Sequence, residues 1–169
     1  HQAAKFGFPI VCLVDTPGAY PGVGAEQAGP AWAIAESLSV MSDLCTPIVA
    51  TVIGEGGSGG ALALALADRV LMLEHSIYSV ASPEACAAIT WRDAGMKRVA
   101  AEALRVTSAD AMALGVVDEI VPEPVPAHED PAGAAARLKA ALERHLAELT
   151  AMGDDRLLGA RYWRFRRSV

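Results

Sequence analysis

Five of the seven residues in GEGGSGG, Gly54 to Gly60, are glycine, and they lie between an apolar run (PIVATVI, 47–53) and a helix-forming one (ALALALA, 61–67). Without Cβ atoms, main-chain N–H groups can come close to a bound anion. The helix that follows turns the positive end of its dipole toward the same place. That combination suits a phosphate or an oxygen that becomes negative during a reaction. A packing turn between strand and helix would use the same residues, although five glycines exceed what close packing usually needs. Gly54, Gly56 and Gly59 also satisfy GxGxxG, with Glu74 twenty residues past Gly54, as in a dinucleotide site. Gly56, Ser58 and Gly60 satisfy GxSxG, the nucleophile elbow, for which His75, His128 or His145 would have to act as base. The helix here is short for the first of these, and no histidine sits in a glycine-flanked loop as the second would require.

A second Gly/Pro-rich segment, DTPGAYPGVGAEQAG at 15–29, follows its own apolar run, FPIVCLV at 8–14. Ligands of α/β sheets collect at the carboxyl ends of strands. Two such segments after adjacent parallel strands would line one crevice. Asp15 and Glu26 are the only acids in the second segment, and Asp15 before Thr-Pro-Gly fits a turn cap as well as it fits chemistry.

The positioning elements follow from the pattern around these loops. The apolar runs at 8–14 and 47–53 have the length and β-branched content of strands buried on both faces. Pro30 opens a helix reaching about Leu44, with Ile34, Leu38, Met41 and Leu44 as its inner stripe. A short helix at 61–67 leads to a strand at 70–74, so strands alternate with helices and the sheet is parallel. Further on, Tyr78–Ala81 is extended and Ser82-Pro83-Glu84 opens a helix, with Glu84 favourable in its first turn. Another helix covers 99–104. Thr107-Ser108 caps one over 109–114, which Gly115 ends in a left-handed conformation. Residues 116–121 return as a strand, and 132–149 form an amphipathic helix with Leu138, Leu142, Leu146 and Leu149 in register. We expect one domain.

The 169 residues are 53 % apolar and 20 % charged, which excludes general disorder, and the formal charge of −6 argues against nucleic acid as the main partner. No run reaches the length of a membrane span, and no signal peptide is visible. Cys12, Cys45 and Cys86 show no metal spacing and read as buried free thiols, which fits a reducing compartment. Trp91 reads as a packing residue, with ligand or subunit contact as the alternative, and His128 and His145 as surface residues. The tail with Arg156, Arg161, Arg164, Arg166 and Arg167 reads as a solvated end or a contact with an acidic surface or CoA phosphates.

Three motifs together carry a family resemblance: DTPGAYPGVGAEQAG, then IGEGGSGGALALALAD at 53–68, then YSVASPEACAAITW at 78–91. They resemble the α subunit of bacterial and plastid acetyl-CoA carboxylase carboxyltransferase. VTSADAMALGVVDEIVPEP at 106–124 resembles the closing helix–strand unit of the wider crotonase superfamily. The likeness covers about Phe6 to Glu123. It implies the α/β crotonase (ClpP/crotonase-like) fold of repeated ββα units. Residues 1–123 would be the C-terminal portion of that core, and 124–169 a helical extension of the same domain. Because the family's α subunits are longer, the chain reads as the later part of such a subunit.

The resemblance also implies the carboxyltransferase half-reaction of acetyl-CoA carboxylase, giving malonyl-CoA for fatty acid synthesis. The α subunit would receive carboxybiotin from a separate biotin carboxyl carrier protein. It would pair with a β subunit, as α2β2, which holds most of the acyl-CoA. Carbon dioxide leaves the biotin N1′, that nitrogen takes the α-proton of acetyl-CoA, and the enolate attacks the carbon dioxide. By position, Gly59 and Gly60 would be the oxyanion N–H donors, with Ala61 behind them. Gly56 and Gly57 would shape the approach, and Gly18, Ala19, Tyr20, Pro21 and Gly22 would lie along the biotin side. No metal is expected in the chain, and the bacterial cytoplasm, or the plastid stroma, would be its compartment. A hydratase or isomerase of the same superfamily, or a non-catalytic subunit fragment, is the alternative.

Overall fold

The computed structural model describes residues 1–166. A short helix α1 (Gln2–Phe6) ends at Gly7 in the left-handed region and leads into β1 (Ile10–Thr16). Two helices follow, α2 (Val23–Gln27) and α3 (Pro30–Asp43), and then β2 (Ile48–Gly57). Next come α4 (Ser58–Ala65), β3 (Arg69–Leu73) and β4 (Ile77–Ser79). A helical stretch contains α5 (Pro83–Trp91), α6 (Lys97–Leu104) and α7 (Ser108–Ala113), followed by β5 (Glu119–Val121). The long α8 (Pro131–Thr150) and α9 (Asp154–Arg164) complete the described chain.

The strand order is β1-β2-β3-β5, with β4 paired to the distal part of β2, and every pair is parallel. Strand periodicity divides the apolar residues between two cores. Ile48, Ala50 and Val52 of β2, with Val70 and Met72 of β3, pack with Ala61 and Ala65 of α4. Val49, Leu71 and Leu73 face the other way, against Ala141 and Leu149 of α8 and Leu157 of α9. Ser76 lies where β2 exchanges β3 for β4, and its hydroxyl donates to the carbonyls of Val52 and Leu73 at 3.1 and 2.7 Å.

One repeated device fixes the strand starts. Asp68, just before β3, accepts the amide of Ile48 at the head of β2 (2.8 Å). Asp118, just before β5, accepts the amide of Val70 in β3 (2.7 Å). Both carboxylates are then held by arginines three residues apart on α9. Arg161 forks onto Asp68 at 2.9 and 2.8 Å and also donates to the carbonyls of Met41, Leu44 and Thr46. Arg164 reaches Asp118 at 2.6 Å.

Several expectations from the sequence are corrected here. The strand at 8–14 is not buried on both faces. β1 is an edge strand, the α8–α9 layer packs on β2 and β3, and Val11 and Leu13 are left exposed. The tail is not simply solvated, because Arg161 is only 2 % exposed within the network above. Arg167 lies outside the described residues. His145 is buried rather than superficial, since α8 turns it inward to Glu119, whose carboxylate is 2.7 Å from its Nε2. Of the thiols, Cys45 is exposed and Cys12 and Cys86 are half-buried, so none is the fully buried group expected. Trp91 keeps 39 % exposure at the end of α5, too open for a core packing residue.

Candidate active site

GEGGSGG is not a loop. β2 continues through Gly57 and α4 begins at Ser58, so strand passes directly into helix. Gly54 to Gly57 are strand residues, and Gly59 and Gly60 belong to the first helical turn. The reversal is made at Ser58, whose φ of 51° lies in the left-handed region that a side chain disfavours. Gly57 is the N-cap in an extended conformation, and no side chain caps the helix. The first N–H groups of a helix have no partner within it. Among the described residues, no outside acceptor takes the amides of Ser58, Gly59 or Gly60. The donors remain available at the positive end of α4.

The glycines have separable roles. A Cβ on Gly57 would stand 2.2 Å from the Pro17 carbonyl oxygen, so this position is glycine because the first Gly/Pro segment lies across it. A Cβ on Gly60 would meet Ala19 N at 3.0 Å and Gly18 C at 3.1 Å. Gly56 is pressed by the Tyr78 ring, and Gly54 by the Asp15 carboxylate. At Gly59 the nearest atom would be Ile34 Cδ1 at 3.5 Å, ordinary contact, so sterics do not demand glycine there.

The structure thus brings Gly18 and Ala19 against Gly57, Ser58 and Gly60, joining the two Gly-rich segments. Gly18, at φ 118°, has Gly57 O and Ser58 Cβ beside it, and its amide is held by Thr16 Oγ1 at 3.2 Å. Tyr20 folds its ring over Gly22 and is 76 % exposed, and Pro21 is exposed beside it. Ala61 turns its methyl into the core. Asp15 ties β1 to β2 by accepting the Glu55 amide at 3.0 Å, a structural task.

Ser58 and Gly59 form one wall of a cavity of about 370 Å³. Leu62, Val80, Leu104 and Leu114 make much of its apolar lining, Tyr78 and Ser79 of β4 border it, and Arg105 is the one charged residue among the described residues lining it. Burial raises the Tyr78 phenol above its usual value, with Arg164 opposing, so it remains a neutral hydroxyl at neutral pH. Arg105 and the β4 wall were not singled out from the sequence. The available signal was an arginine between two helices, where a glycine would ordinarily end the first.

The competing motif readings lose their partners. Glu74, which a dinucleotide would need for its ribose, accepts the Glu123 amide at 2.7 Å. His75 faces the Glu123 carbonyl, His145 is engaged by Glu119, and His128 lies beside Glu129, so among the described residues none of these three bonds to Ser58. No group of three or more His, Cys, Asp or Glu among the described residues is placed to hold a metal ion.

Comparison with known proteins is decisive at this point. A family model described as acetyl co-enzyme A carboxylase carboxyltransferase-like matches residues 1–168. The chain belongs to this family. The acetyl-coenzyme A carboxylase carboxyl transferase subunits beta/alpha of Salinispora tropica is 58 % identical over 98 % of this chain and 29 % of its own length. The corresponding subunit alpha of Thermus thermophilus is 55 % identical over 97 % of this chain and 53 % of its own. The chain therefore spans about half the length, or less, of the curated relatives it matches. Among solved structures, a Pseudomonas malonate decarboxylase hetero-tetramer with coenzyme A superimposes with a TM-score of 0.76 at 20 % identity, covering 98 % of this chain and 72 % of that one. The transcarboxylase 12S core, with methylmalonyl-coenzyme A bound, gives 0.64 at 27 %, covering 83 % and 29 %. The fold is the crotonase fold of these enzymes, as the family resemblance implied. No described helix is long and apolar enough to cross a membrane.

Proposed function

We propose that this chain supplies the donor-side half of an acetyl-CoA carboxylase carboxyltransferase site, moving a carboxyl group from carboxybiotin on a carrier protein to acetyl-CoA. The observation that carries the reading is the row of unpartnered amides at Ser58, Gly59 and Gly60, opening α4 beside a cavity. Carboxybiotin supplies the transferable carboxyl. When that group leaves, negative charge develops on the ureido oxygen of the donor, and preorganised N–H donors stabilise it there without reorganising. Gly59, whose place on the cavity wall needs no steric explanation, is the chief donor. Gly60 and Gly57 hold the Gly18–Ala19 backbone in place, and Gly18 to Gly22 border the donor's approach. Ala61 backs the turn from the core.

Among the described residues, none lining this cavity is a carboxylate, which disfavours a hydratase needing two acids over its substrate. A β subunit completes the site from outside the chain and carries most of the acyl-CoA. The pairing with a β subunit is supported by the beta/alpha naming of the Salinispora relative. Residues 1–123 form the core, and 124–169 extend the same domain, a reading supported by the packing of Leu149 and Leu157 on Val49 and Leu71. A bacterial cytoplasm or plastid stroma is the matching compartment.

The test is made in the full-length complex. Gly59→Pro deletes one amide hydrogen in a helical first turn, where proline is tolerated. Gly59→Ala keeps it and fits the available space. With melting curves matching wild type, the proline variant should lose about 10²–10³-fold in malonyl-CoA formation, the usual cost of one oxyanion donor. The alanine variant should stay within a few-fold. A folded proline variant of normal activity would overturn the assignment.

A further inference from the structure

Arg105 has three unusual properties at once. It caps α6 with φ 51° and ψ 58°, the left-handed conformation that glycine adopts freely and an arginine does not. Among the described residues, it is the one charged group lining the cavity that Ser58 and Gly59 border. Its orientation is fixed from one side only: Nε donates to Asp110 Oδ1 at 3.1 Å, while Asp110 is itself held by the Thr107 hydroxyl at 2.7 Å. Among the described residues, neither terminal nitrogen of this guanidinium makes a hydrogen bond. The surrounding backbone is braced as well, since the Tyr78 amide donates to the Val106 carbonyl at 2.9 Å and Ile77 bridges Thr107.

A glycine at 105 would serve the fold at lower conformational cost, and the exposed pair with Asp110 contributes little stability. The fold alone therefore does not account for the side chain. We infer that Arg105 is a substrate-binding residue, which uses its free terminal nitrogens to hold the carboxylate of the carboxylated donor in the cavity that Gly59 also lines. This rests on the function proposed above and adds a residue to it. The two anion-holding elements then act at different moments. The carboxylate carries the charge before transfer. As the N–C bond breaks, its electron pair passes to the ureido group and neutral carbon dioxide departs. Arg105 thus favours the bound ground state, and the α4 amides favour the charge that follows. An interaction made in the ground state and weakened in the transition state lowers KM without raising kcat.

Arg105→Gly and Arg105→Met in the full-length complex separate this from a structural role. Three quantities are read: KM and kcat for the carboxylated carrier protein, Kd for the same biotinylated carrier without its carboxyl group, and the melting temperature. KM should rise about tenfold or more, the scale of one lost charge-assisted hydrogen bond. Kd for the uncarboxylated carrier should stay unchanged, kcat should hold or increase, and Arg105→Gly should melt no lower than wild type. Arg105→Lys should recover part of the KM. Equal weakening of both carriers, an unchanged KM, or a lower melting temperature in Arg105→Gly would each overturn the inference. A wild-type complex that transfers no carboxyl group at all would instead overturn the underlying function, and this assignment with it.

Discussion

Replacing Arg161 by methionine removes a guanidinium that makes five hydrogen bonds, two to Asp68 and one each to the carbonyls of Met41, Leu44 and Thr46. Both partners of the ion pair are at most 2 % exposed as side chains, so water cannot take over. The stranded Asp68 carboxylate keeps only the Ile48 amide. Removing one member of a buried pair costs about 3–5 kcal/mol, mainly through the charge left behind. That is a large share of the roughly 5–15 kcal/mol stabilising a whole domain. At about 2–4 °C per kcal/mol for a chain of this size, the melting temperature should fall by roughly 6–20 °C. Urea unfolding should show a lower midpoint with an unchanged slope. Because Asp68→Asn removes the stranded charge, the double variant should be more stable than the sum of the two single losses predicts by at least about 1 kcal/mol. Less than about 1 kcal/mol lost in Arg161→Met, or strict additivity, would refute the reasoning.

The glycine roles separate in stability measurements. Gly57→Ala must displace the Pro17 carbonyl, which would lie 2.2 Å away, and should cost about 1–3 kcal/mol as an overpacked site. Gly59→Ala should be neutral or stabilising by up to about 1 kcal/mol, since the methyl meets only Ile34 and the position is helical. Equal effects in chemical unfolding would contradict this division. A third prediction concerns acid. Burial pushes Glu119 upward, but hydrogen bonds from Arg144 and His145 outweigh it and hold its carboxyl below the usual value. A group lowered on folding contributes fully above its unfolded value, near about 4.3, and loses that contribution as pH falls through the folded value. Wild type should therefore exceed Glu119→Gln in urea midpoint at pH 6, with the gap closing toward pH 3. Parallel pH profiles would show that Glu119 has no such role.

Much of the architecture was legible because the strands are short, continuous apolar runs bounded by turn residues, as at 48–53 and 70–73. Helix starts were legible for the same local reason: Ser82 and Thr107 do accept the amides of Ala85 and Asp110. The glycine segment stood out by its composition but not by its shape. Consecutive glycines have no side-chain period, so nothing marked Gly57 as strand and Ser58 as helix. The buried charges were illegible for a different reason. Arg161 and Asp68 are 93 residues apart in the chain, and His145 lies 26 from Glu119, so each looks like an ordinary surface residue until folding supplies its partner. Exposure of β1 was equally hidden, because an edge strand and a central one can share an apolar composition.

The arginines of α9 carry a consequence for synthesis. Every strand they fasten leaves the ribosome before they do, so Asp68 and Asp118 must wait, hydrated, until α9 has emerged. Until then the carboxylates at the strand starts oppose closure of the surrounding interior. An interrupted translation product lacking α9 would remain open at that border and accessible to proteases, whatever the condition of its glycine junction.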